Sequence, residues 1–313
     1  MTKLVIKHLN PIETKIIGIL KFKTETPIHI GSIGAEVRRS FLKLKNEMLV
    51  IPSSTWKGAF RALSEKIAKN MSFNGIANFS VKYYSEKAGG IGYMPEDVYG
   101  KEEFNKLKNE LIELHKGLKR EVYGLTGEQL KELIYELGFR EEERELNEYK
   151  DDIWNRFTEA IIAINCPIGK LYGNRYLASK LRFTDSLIKG EINERPGIAI
   201  DRKSGKVREG HLYFTEILPK AEIKLMFIAC NLKPREEDSK LLANTLQYIN
   251  ELGITIGGGK SRGLGQLSID EANIYIANLK ERELTERIQA ISNPFKYIKP
   301  TKLNEFITWL KHV

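Results

Sequence analysis

The order of strand-like and helix-like segments constrains the fold of this chain more than any other feature. Residues 15–23 (KIIGILKFK) are rich in β-branched side chains and alternate in part, which predicts a strand that ends near residues 26–27. After Thr55, apolar residues recur at the spacing of one helix face, namely Trp56, Ala59, Phe60, Leu63 and Ile67. A strand followed by an amphipathic helix is therefore expected at the start of the fold.

A second group of β-type segments lies in the C-terminal half. Short strand patterns occupy residues 181–184, 211–217 and 221–229, and a tight turn separates the last two. A helical pattern follows at residues 239–252, and a further strand runs from residue 267 towards 276. The order strand, helix, strands, helix, strand predicts an α+β, ferredoxin-like core, in which helices cover one face of an antiparallel sheet.

Residues 71–164 interrupt this order. They hold charge-dense segments such as KEEFNKLKNELIELHKGLKRE, with helical periodicity and glycine breaks. We therefore predict a core formed by residues 1–70 and 165–280, a large helical insertion at residues 71–164 and a C-terminal helical extension at residues 281–313.

The overall charge indicates a partner class. The chain has 50 Lys and Arg against 41 Asp and Glu, a net charge of +9, which makes polyanions plausible partners. Its two cysteines, Cys166 and Cys230, have no partner at metal-ligand or redox spacing, and no apolar run approaches the length of a membrane helix. These features predict a cytoplasmic protein without a membrane partner, and abundant Lys, Glu and Ile with scarce Gln are typical of a thermophile.

Residues 51–61 (IPSSTWKGAFR) form the first candidate anion site. Hydroxyl groups and free backbone N–H groups stand at a helix start, where the helix dipole favours a phosphate. Lys57 and Arg61 are four residues apart, so they share a helix face and can follow a phosphodiester backbone. A capped helix with a solvated basic face explains the same residues equally well.

Residues 257–265 (GGGKSRGLG) form the second candidate site. They are not a nucleotide-binding P-loop, because residue 254 is Ile where the pattern needs Gly, and a strand is predicted after the loop instead of a helix. The glycines allow close approach of a polyanion and two cations supply charge, which favours binding over an ordinary glycine-rich turn. The candidate contacts are Gly257, Gly258, Gly259, Lys260, Ser261, Arg262 and Gly263.

Residues 193–210 (NERPGIAIDRKSGKVREG) are polar and basic with a short apolar interruption, which predicts an exposed β-hairpin. Its tip at residues 201–205 either inserts between nucleotides or faces solvent, and the segment alone favours solvent.

These segments together resemble the RAMP superfamily, and within it the backbone subunits of type III CRISPR effector complexes (Csm/Cmr-type). Residues 51–61 are similar to the family's Pro-Gly-Ser-Ser-x-Lys-Gly-x-x-Arg signature, with Ser53 where the family usually has Gly. Residues 257–265 resemble its C-terminal glycine-rich loop, and residues 26–31 (TPIHIG) resemble the loop after its first strand. The intervening LRFTD, PGIAIDRKSG and HLYFTE segments match in the same order.

The resemblance implies a modified RRM-like core that grips guide RNA through its backbone, and a thumb hairpin at about residues 190–212 that kinks the RNA. It implies as partners the CRISPR guide RNA and target RNA, other RAMP subunits, the small subunit and the large polymerase-like subunit, acting in antiviral defence. Besides the glycine-rich loop, the RNA-binding residues would be His29, Arg38, Arg39, Ser53, Ser54, Lys57, Arg61, Arg195, Asp201, Arg202 and Lys203.

In catalytic members of the family, an Asp in the loop after the first strand supports metal-dependent cleavage of target RNA. Residues 31–40 (GSIGAEVRRS) contain no Asp, and the expected position falls near Val37, beside Glu36. We therefore expect a non-cleaving subunit with no cofactor, and Mg²⁺ only if Glu36 holds a metal. His29, between two isoleucines at a strand end, is expected to be packed or hydrogen-bonded.

Two alternatives stay open on sequence grounds. One is a metal-dependent endoribonuclease that uses Glu36. The other is a protein-only scaffold that caps the filament of subunits, with the helical insertion contacting a neighbour.

Overall fold

The computed structural model describes residues 12–31, 38–45, 47–73, 75–86, 95–136, 151–174, 176–201, 203, 205–280 and 282–312. Its strands are β1 (Thr14–Thr24), β2 (Arg38–Arg39), β3 (Leu49–Ile51), β4 (Glu121–Val122), β5 (Leu125–Thr126), β6 (Leu181–Phe183), β7 (Ser186–Ile188), β8 (Asn193–Ile200), β9 (Val207–Ile217), β10 (Glu222–Cys230), β11 (Ile254–Thr255) and β12 (Gln266–Asn278). Its helices are α1 (Ser53–Ala68), α2 (Gly75–Glu86), α3 (Pro95–His115), α4 (Gly127–Glu136), α5 (Asp151–Asn165), α6 (Pro167–Tyr172), α7 (Glu237–Leu252), α8 (Leu284–Ser292), α9 (Pro294–Tyr297) and α10 (Leu303–His312).

The central element is a five-stranded antiparallel sheet with the strand order β11-β12-β1-β10-β6. Without the edge strand β11, the four strands β1, β6, β10 and β12 follow each other along the chain as in a β-α-β-β-α-β unit, in which α1 follows β1 and α7 follows β10. In the sheet they lie in the order fourth, first, third, second, which is that of a ferredoxin-like fold. The predicted α+β, ferredoxin-like fold is therefore confirmed.

Strand β1 forms where the sequence predicts it and is one residue longer at each end. Its alternating side chains Ile16, Leu20 and Phe22 are buried in the sheet core. Helix α1 begins at Ser53, two residues earlier than the apolar pattern indicates. The reason is that the Pro52 carbonyl accepts the N–H groups of the third and fourth helical residues and closes the first turn.

Helix α1 presses its apolar face onto the strands. The Trp56 ring stacks on Phe22 with a centroid distance of 5.3 Å, and its indole N–H donates to Ser186 Oγ at 3.0 Å. Phe60 packs against Phe183 at 5.0 Å. The buried indole is thus both packed and hydrogen-bonded, which fixes the rotation of α1 about its axis.

Strands β8 and β9 form the predicted hairpin, and the short strand β2 adds to β9 in parallel. These strands make a separate three-stranded sheet with the order β2-β9-β8. Strands β9 and β10 lie in different sheets despite the short turn between them, because Leu218 exchanges both backbone hydrogen bonds with Ile28, at 2.8 and 3.0 Å. The hairpin is therefore anchored on the segment that leaves β1.

The described residues fall into two compact units. The helical unit comprises Leu63–Lys180 and Leu232–Leu242, and the sheet unit comprises Glu13–Ala62, Leu181–Asn231 and Ala243–Val313. Buried side chains of the helical unit include Phe104, Leu107, Leu111, Leu130, Leu133, Phe157 and Ile161. The division into a core, a helical insertion at residues 71–164 and an extension at residues 281–313 stays a prediction.

Candidate nucleic-acid interface

The segment that leaves β1 lies beside the glycine-rich loop, residues 257–265. The N–H of Gly265 donates to the Pro27 carbonyl at 2.9 Å, and the N–H of Gly258 donates to the His29 carbonyl at 2.9 Å. Residues 26–31 and 257–265, which the sequence singles out separately, therefore form one hydrogen-bonded unit within the sheet unit.

His29 joins this unit to the base of the hairpin. Its ring is buried, packs edge-on against Phe41 and places Nδ1 2.7 Å from the Glu216 carbonyl oxygen. A carbonyl only accepts hydrogen bonds, so Nδ1 carries the proton. The Glu216 carboxylate in turn accepts the N–H of Phe41 at 2.8 Å. The expectation of a packed, hydrogen-bonded His29 is confirmed, and its contact with RNA stays a prediction.

Two glycines of the loop are required by the fold itself. Gly257 has a φ of +74°, and a Cβ there would lie 2.2 Å from the His29 carbonyl oxygen. Gly265 has a φ of +93°, and a Cβ there would lie 2.1 Å from the Ile256 carbonyl oxygen. An ordinary glycine-rich turn therefore explains both glycines without a ligand.

The tip of the same loop is different in character. Residues 259–263 are exposed, with a 3₁₀ turn at Lys260–Arg262 between two glycines in the left-handed conformation. Strand β12 follows the loop, so the exclusion of a P-loop from the sequence is confirmed. Lys260, Ser261 and Arg262 are thus presented on a short, closed turn that an anion can reach.

The start of helix α1 is already occupied in part by an internal acid. The N–H of Ser53 donates to Asp185 Oδ1 at 2.7 Å, and the N–H groups of Thr55 and Trp56 donate to the Pro52 carbonyl. This corrects the expectation that these amides are free for a phosphate. Ser54 is exposed at the same turn, and its contact with RNA stays a prediction.

The basic face of α1 follows from the packing of its apolar face. Trp56 and Phe60 are buried, whereas Lys57 and Arg61 are partly exposed. Residues four apart lie one turn above each other on a helix. Lys57 and Arg61 therefore stand in a row that starts at the helix N-terminus.

A ladder of backbone hydrogen bonds links the glycine-rich loop to this helix. One residue after His29, the Ile30 carbonyl accepts the N–H of Leu42 at 2.8 Å, and the Leu42 carbonyl accepts the N–H of Val50 at 3.2 Å. Val50 belongs to β3, which leads directly into α1. At about 4.8 Å for each hydrogen-bonded step, the ladder from Gly258 to Val50 spans about 14 Å.

The hairpin adds a residue that sequence reasoning missed. Tyr213 on β9 lies beneath Arg39, whose guanidinium carbon is 4.8 Å from the ring centroid. Arg262 Nη1 donates to the Tyr213 hydroxyl at 2.8 Å. Arg39, Tyr213 and Arg262 come from β2, β9 and the glycine-rich loop, and we call them the Arg–Tyr–Arg cluster. The one available signal was Gly197, which faces Tyr213 across the hairpin.

The remaining candidates lie elsewhere on the hairpin or outside the described residues. Arg195 is exposed on β8, and the tip is closed by Asp201, whose Oδ1 accepts the N–H of Lys203 at 3.0 Å. Arg38 is described only by its backbone, which pairs with Phe214. Glu36 and Arg202 are outside the described residues. The structure therefore brings Arg39 together with Arg262.

No group of three or more His, Cys, Asp or Glu side chains that could hold a metal ion occurs within the described ranges. Among the helices of those ranges, none has the length and apolar character needed to cross a membrane.

The family model described as "RAMPs: RAMP superfamily" matches residues 21–268, which is most of the 313-residue chain. The matched range includes the helix start, the hairpin and the glycine-rich loop. No curated protein matches the chain.

Proposed function

Because this chain belongs to the RAMP superfamily, we propose that it is a guide RNA-binding backbone subunit of a type III CRISPR interference complex. Membership suggests involvement in CRISPR-associated complexes, and members of the family typically assemble with RNA and other Cas subunits. The geometry of the sheet unit supports a more specific role, in which the subunit binds the guide through its phosphates during antiviral defence.

The observation that carries the proposal is the backbone ladder with cations at both ends. Lys260 and Arg262 stand on the exposed loop tip at one end, and Lys57 and Arg61 line helix α1 beyond the other. A stacked strand advances about 3.4 Å per nucleotide, so the ladder of about 14 Å corresponds to roughly four nucleotides. We propose that one strand contacts both groups of cations.

This arrangement favours reading the backbone over reading bases. Lysine, arginine and main-chain N–H groups contact phosphates in any sequence, whereas base recognition needs side chains shaped to the base edges. A guide-binding subunit must accept whatever guide it receives. Contacts with phosphates meet that requirement.

The hairpin and the partners belong to the same proposal. The thumb hairpin is proposed to kink the RNA, and the hairpins of neighbouring subunits do so at regular intervals. Its proposed RNA contacts are Arg195, Asp201, Arg202 and Lys203. Other RAMP subunits, the small subunit, the large polymerase-like subunit and target RNA are the proposed partners. A contact of the helical unit with a neighbouring subunit and a cytoplasmic location are also part of the proposal.

The proposed role requires no bond cleavage by this chain, and no described residue favours the endoribonuclease alternative over it. That alternative depends on Glu36. Cleavage of target RNA by the assembled complex, measured with and without Glu36→Ala, separates the two. Loss of cleavage at one position would favour the endoribonuclease, and unchanged cleavage would favour the structural subunit.

Binding of single-stranded RNA at several salt concentrations tests the proposal directly. Four phosphate contacts give a slope of log affinity against log salt of about −3, because each contributes about 0.7 on a single strand. Mixed-sequence and homopolymer RNA should bind with similar affinity. Binding that is insensitive to salt, selective for one sequence or absent would overturn the proposal.

A further inference from the structure

Two arginines from distant parts of the chain share one tyrosine. The guanidinium carbons of Arg39 and Arg262 lie 4.8 and 5.9 Å from the centroid of the Tyr213 ring. Arg262 also donates to the tyrosine hydroxyl at 2.8 Å. The ring thus holds one guanidinium over its face by a cation–π contact and the other by its hydroxyl.

The position of Tyr213 depends on a glycine on the neighbouring strand. Gly197 pairs with Tyr213 in the β8–β9 register, and a Cβ at Gly197 would lie 2.4 Å from Cζ of the tyrosine ring. No side chain other than hydrogen leaves room for the ring there. On the other side, Arg39 pairs with Thr215, two residues beyond Tyr213, which places Arg39 on the same face of the sheet.

Among the described residues, no carboxylate balances this pair of cations. Within that part of the chain Arg39 and Arg262 form no ion pair, and both side chains are exposed. Two guanidinium groups held on one ring repel each other, and an anion placed between them relieves that repulsion. Guanidinium groups match phosphate oxygens in geometry and in charge.

We propose that Tyr213, seated on Gly197, is a positioning residue that presents Arg39 and Arg262 together to neighbouring phosphates of one RNA strand. This inference rests on the proposed RNA-binding function. It makes a residue of the hairpin responsible for the specificity of that binding for the geometry of the RNA backbone. An exposed arginine loses side-chain freedom when it binds, and a partner that already orders it reduces that entropic cost. Tyr213 supplies this order without contacting the RNA.

RNA affinity and its salt dependence, measured for hairpin variants, test the inference. Tyr213→Phe removes the hydrogen bond to Arg262 and keeps the ring, so we expect affinity to fall by about 3- to 10-fold. Tyr213→Leu also removes the cation–π interaction, so we expect a larger fall and a salt slope shallower by about 0.7 for each phosphate that is no longer bound. Tyr248→Phe, at a half-exposed tyrosine on α7, is the matched control and should bind like the unaltered chain.

Gly197→Ala displaces the ring while leaving all three members of the cluster chemically intact, so it should weaken binding as Tyr213→Leu does. Arg262→Lys keeps the charge but removes the planar group. The double variant with Tyr213→Phe should bind RNA no more weakly than the weaker-binding of the two single variants. Additive effects in that double variant would overturn the inference. Circular dichroism confirms that each variant is folded.

The outcomes for this inference and for the proposed function differ. If the unaltered chain binds RNA while folded Tyr213→Phe, Tyr213→Leu and Gly197→Ala proteins bind equally well, the positioning role is overturned and the proposed function stands. If the unaltered chain does not bind RNA, both are overturned.

Discussion

The backbone N–H of Ser53 donates a 2.7 Å hydrogen bond to Oδ1 of Asp185, which places a carboxylate at the positive end of helix α1. Asp185 is exposed and lies where a phosphate of the guide is proposed to bind. The two anions would repel each other there. Asp185 therefore holds the helix start in place, and we expect it to lower the affinity of the proposed site for RNA.

Replacing Asp185 by Asn should separate these two effects. The amide oxygen still accepts the Ser53 N–H, but the charge is gone, so RNA affinity at low salt should rise by about two- to fivefold. The helix should lose about 0.3 to 1 kcal/mol of stability for the same reason. RNA titration and denaturant unfolding measure the two effects. Asp270→Asn, at an exposed carboxylate on β12, is the control and should change neither. Equal or weaker RNA binding by Asp185→Asn would contradict this account.

The glycine-rich loop should show two different costs of adding a methyl group. Gly257 has a positive φ and no room for a Cβ, whereas Gly263 has a φ of +78° with nothing within 4 Å of its Cβ position. Gly263→Ala should therefore cost about 1 to 2 kcal/mol of unfolding free energy for the backbone alone. Gly257→Ala should cost more, because it also displaces the His29 carbonyl. Denaturant unfolding of both variants measures the difference, and equal costs would show that the close approach to His29 is unimportant.

Local patterns were sufficient for the elements of the fold but not for the contacts between them. The strand at residues 15–23 and the apolar stripe of α1 are encoded by neighbouring residues, so periodicity predicts where they start within one or two residues. The hairpin also forms at the predicted place, but its second strand continues to Ile217, beyond the predicted end at residue 210. From the sequence, the glycines at positions 257 and 265 cannot be distinguished from those at the exposed tip of the loop. Only the approach of carbonyl groups distinguishes them.

Long-range pairs explain what sequence reasoning missed. Ser53 and Asp185 are 132 residues apart, and Tyr213 and Arg262 are 49 apart. No spacing rule connects such residues, because their meeting depends on which strands neighbour each other in two different sheets. A hairpin tyrosine opposite a glycine was the single local signal for the cluster.

The helical unit holds a buried ion pair whose removal should be costly. Lys180 Nζ lies 2.7 Å from Asp238 Oδ2, and the Asp238 side chain is fully buried. Lys180→Met would leave that carboxylate without its partner, which typically costs about 3 to 5 kcal/mol. Lys240→Met, at a partly exposed residue 3.9 Å from Glu237, should cost about 1 kcal/mol or less. Unfolding free energies of the two variants compare them, and similar costs would contradict the expectation.

The same pair predicts how stability depends on pH. Burial disfavours the Lys180 ammonium, but the carboxylates of Asp238 and Glu236 outweigh burial, so the pKa of Lys180 is raised above its ordinary value. A group whose pKa is higher in the folded state keeps its full contribution below the unfolded pKa of about 10.4. The difference in unfolding free energy between the unaltered chain and Lys180→Met should therefore be constant from neutral pH to about pH 9. It should shrink only as the pH rises through the folded-state pKa, and a difference that shrinks below about pH 9 would contradict this.

The central claim is that cations at the start of α1 hold the phosphates of an RNA strand. Its most direct measurement compares RNA affinity and salt slope for two double charge reversals. One is Lys57→Glu with Arg61→Glu on helix α1, and the control is Lys66→Glu in the last turn of α1 with Lys69→Glu one residue beyond its end. We expect the first pair to lower affinity at least about tenfold and to flatten the salt slope by about 1.4, with the control close to the unaltered chain. Equal decreases in the two folded proteins would show that only net charge matters and would contradict the claim.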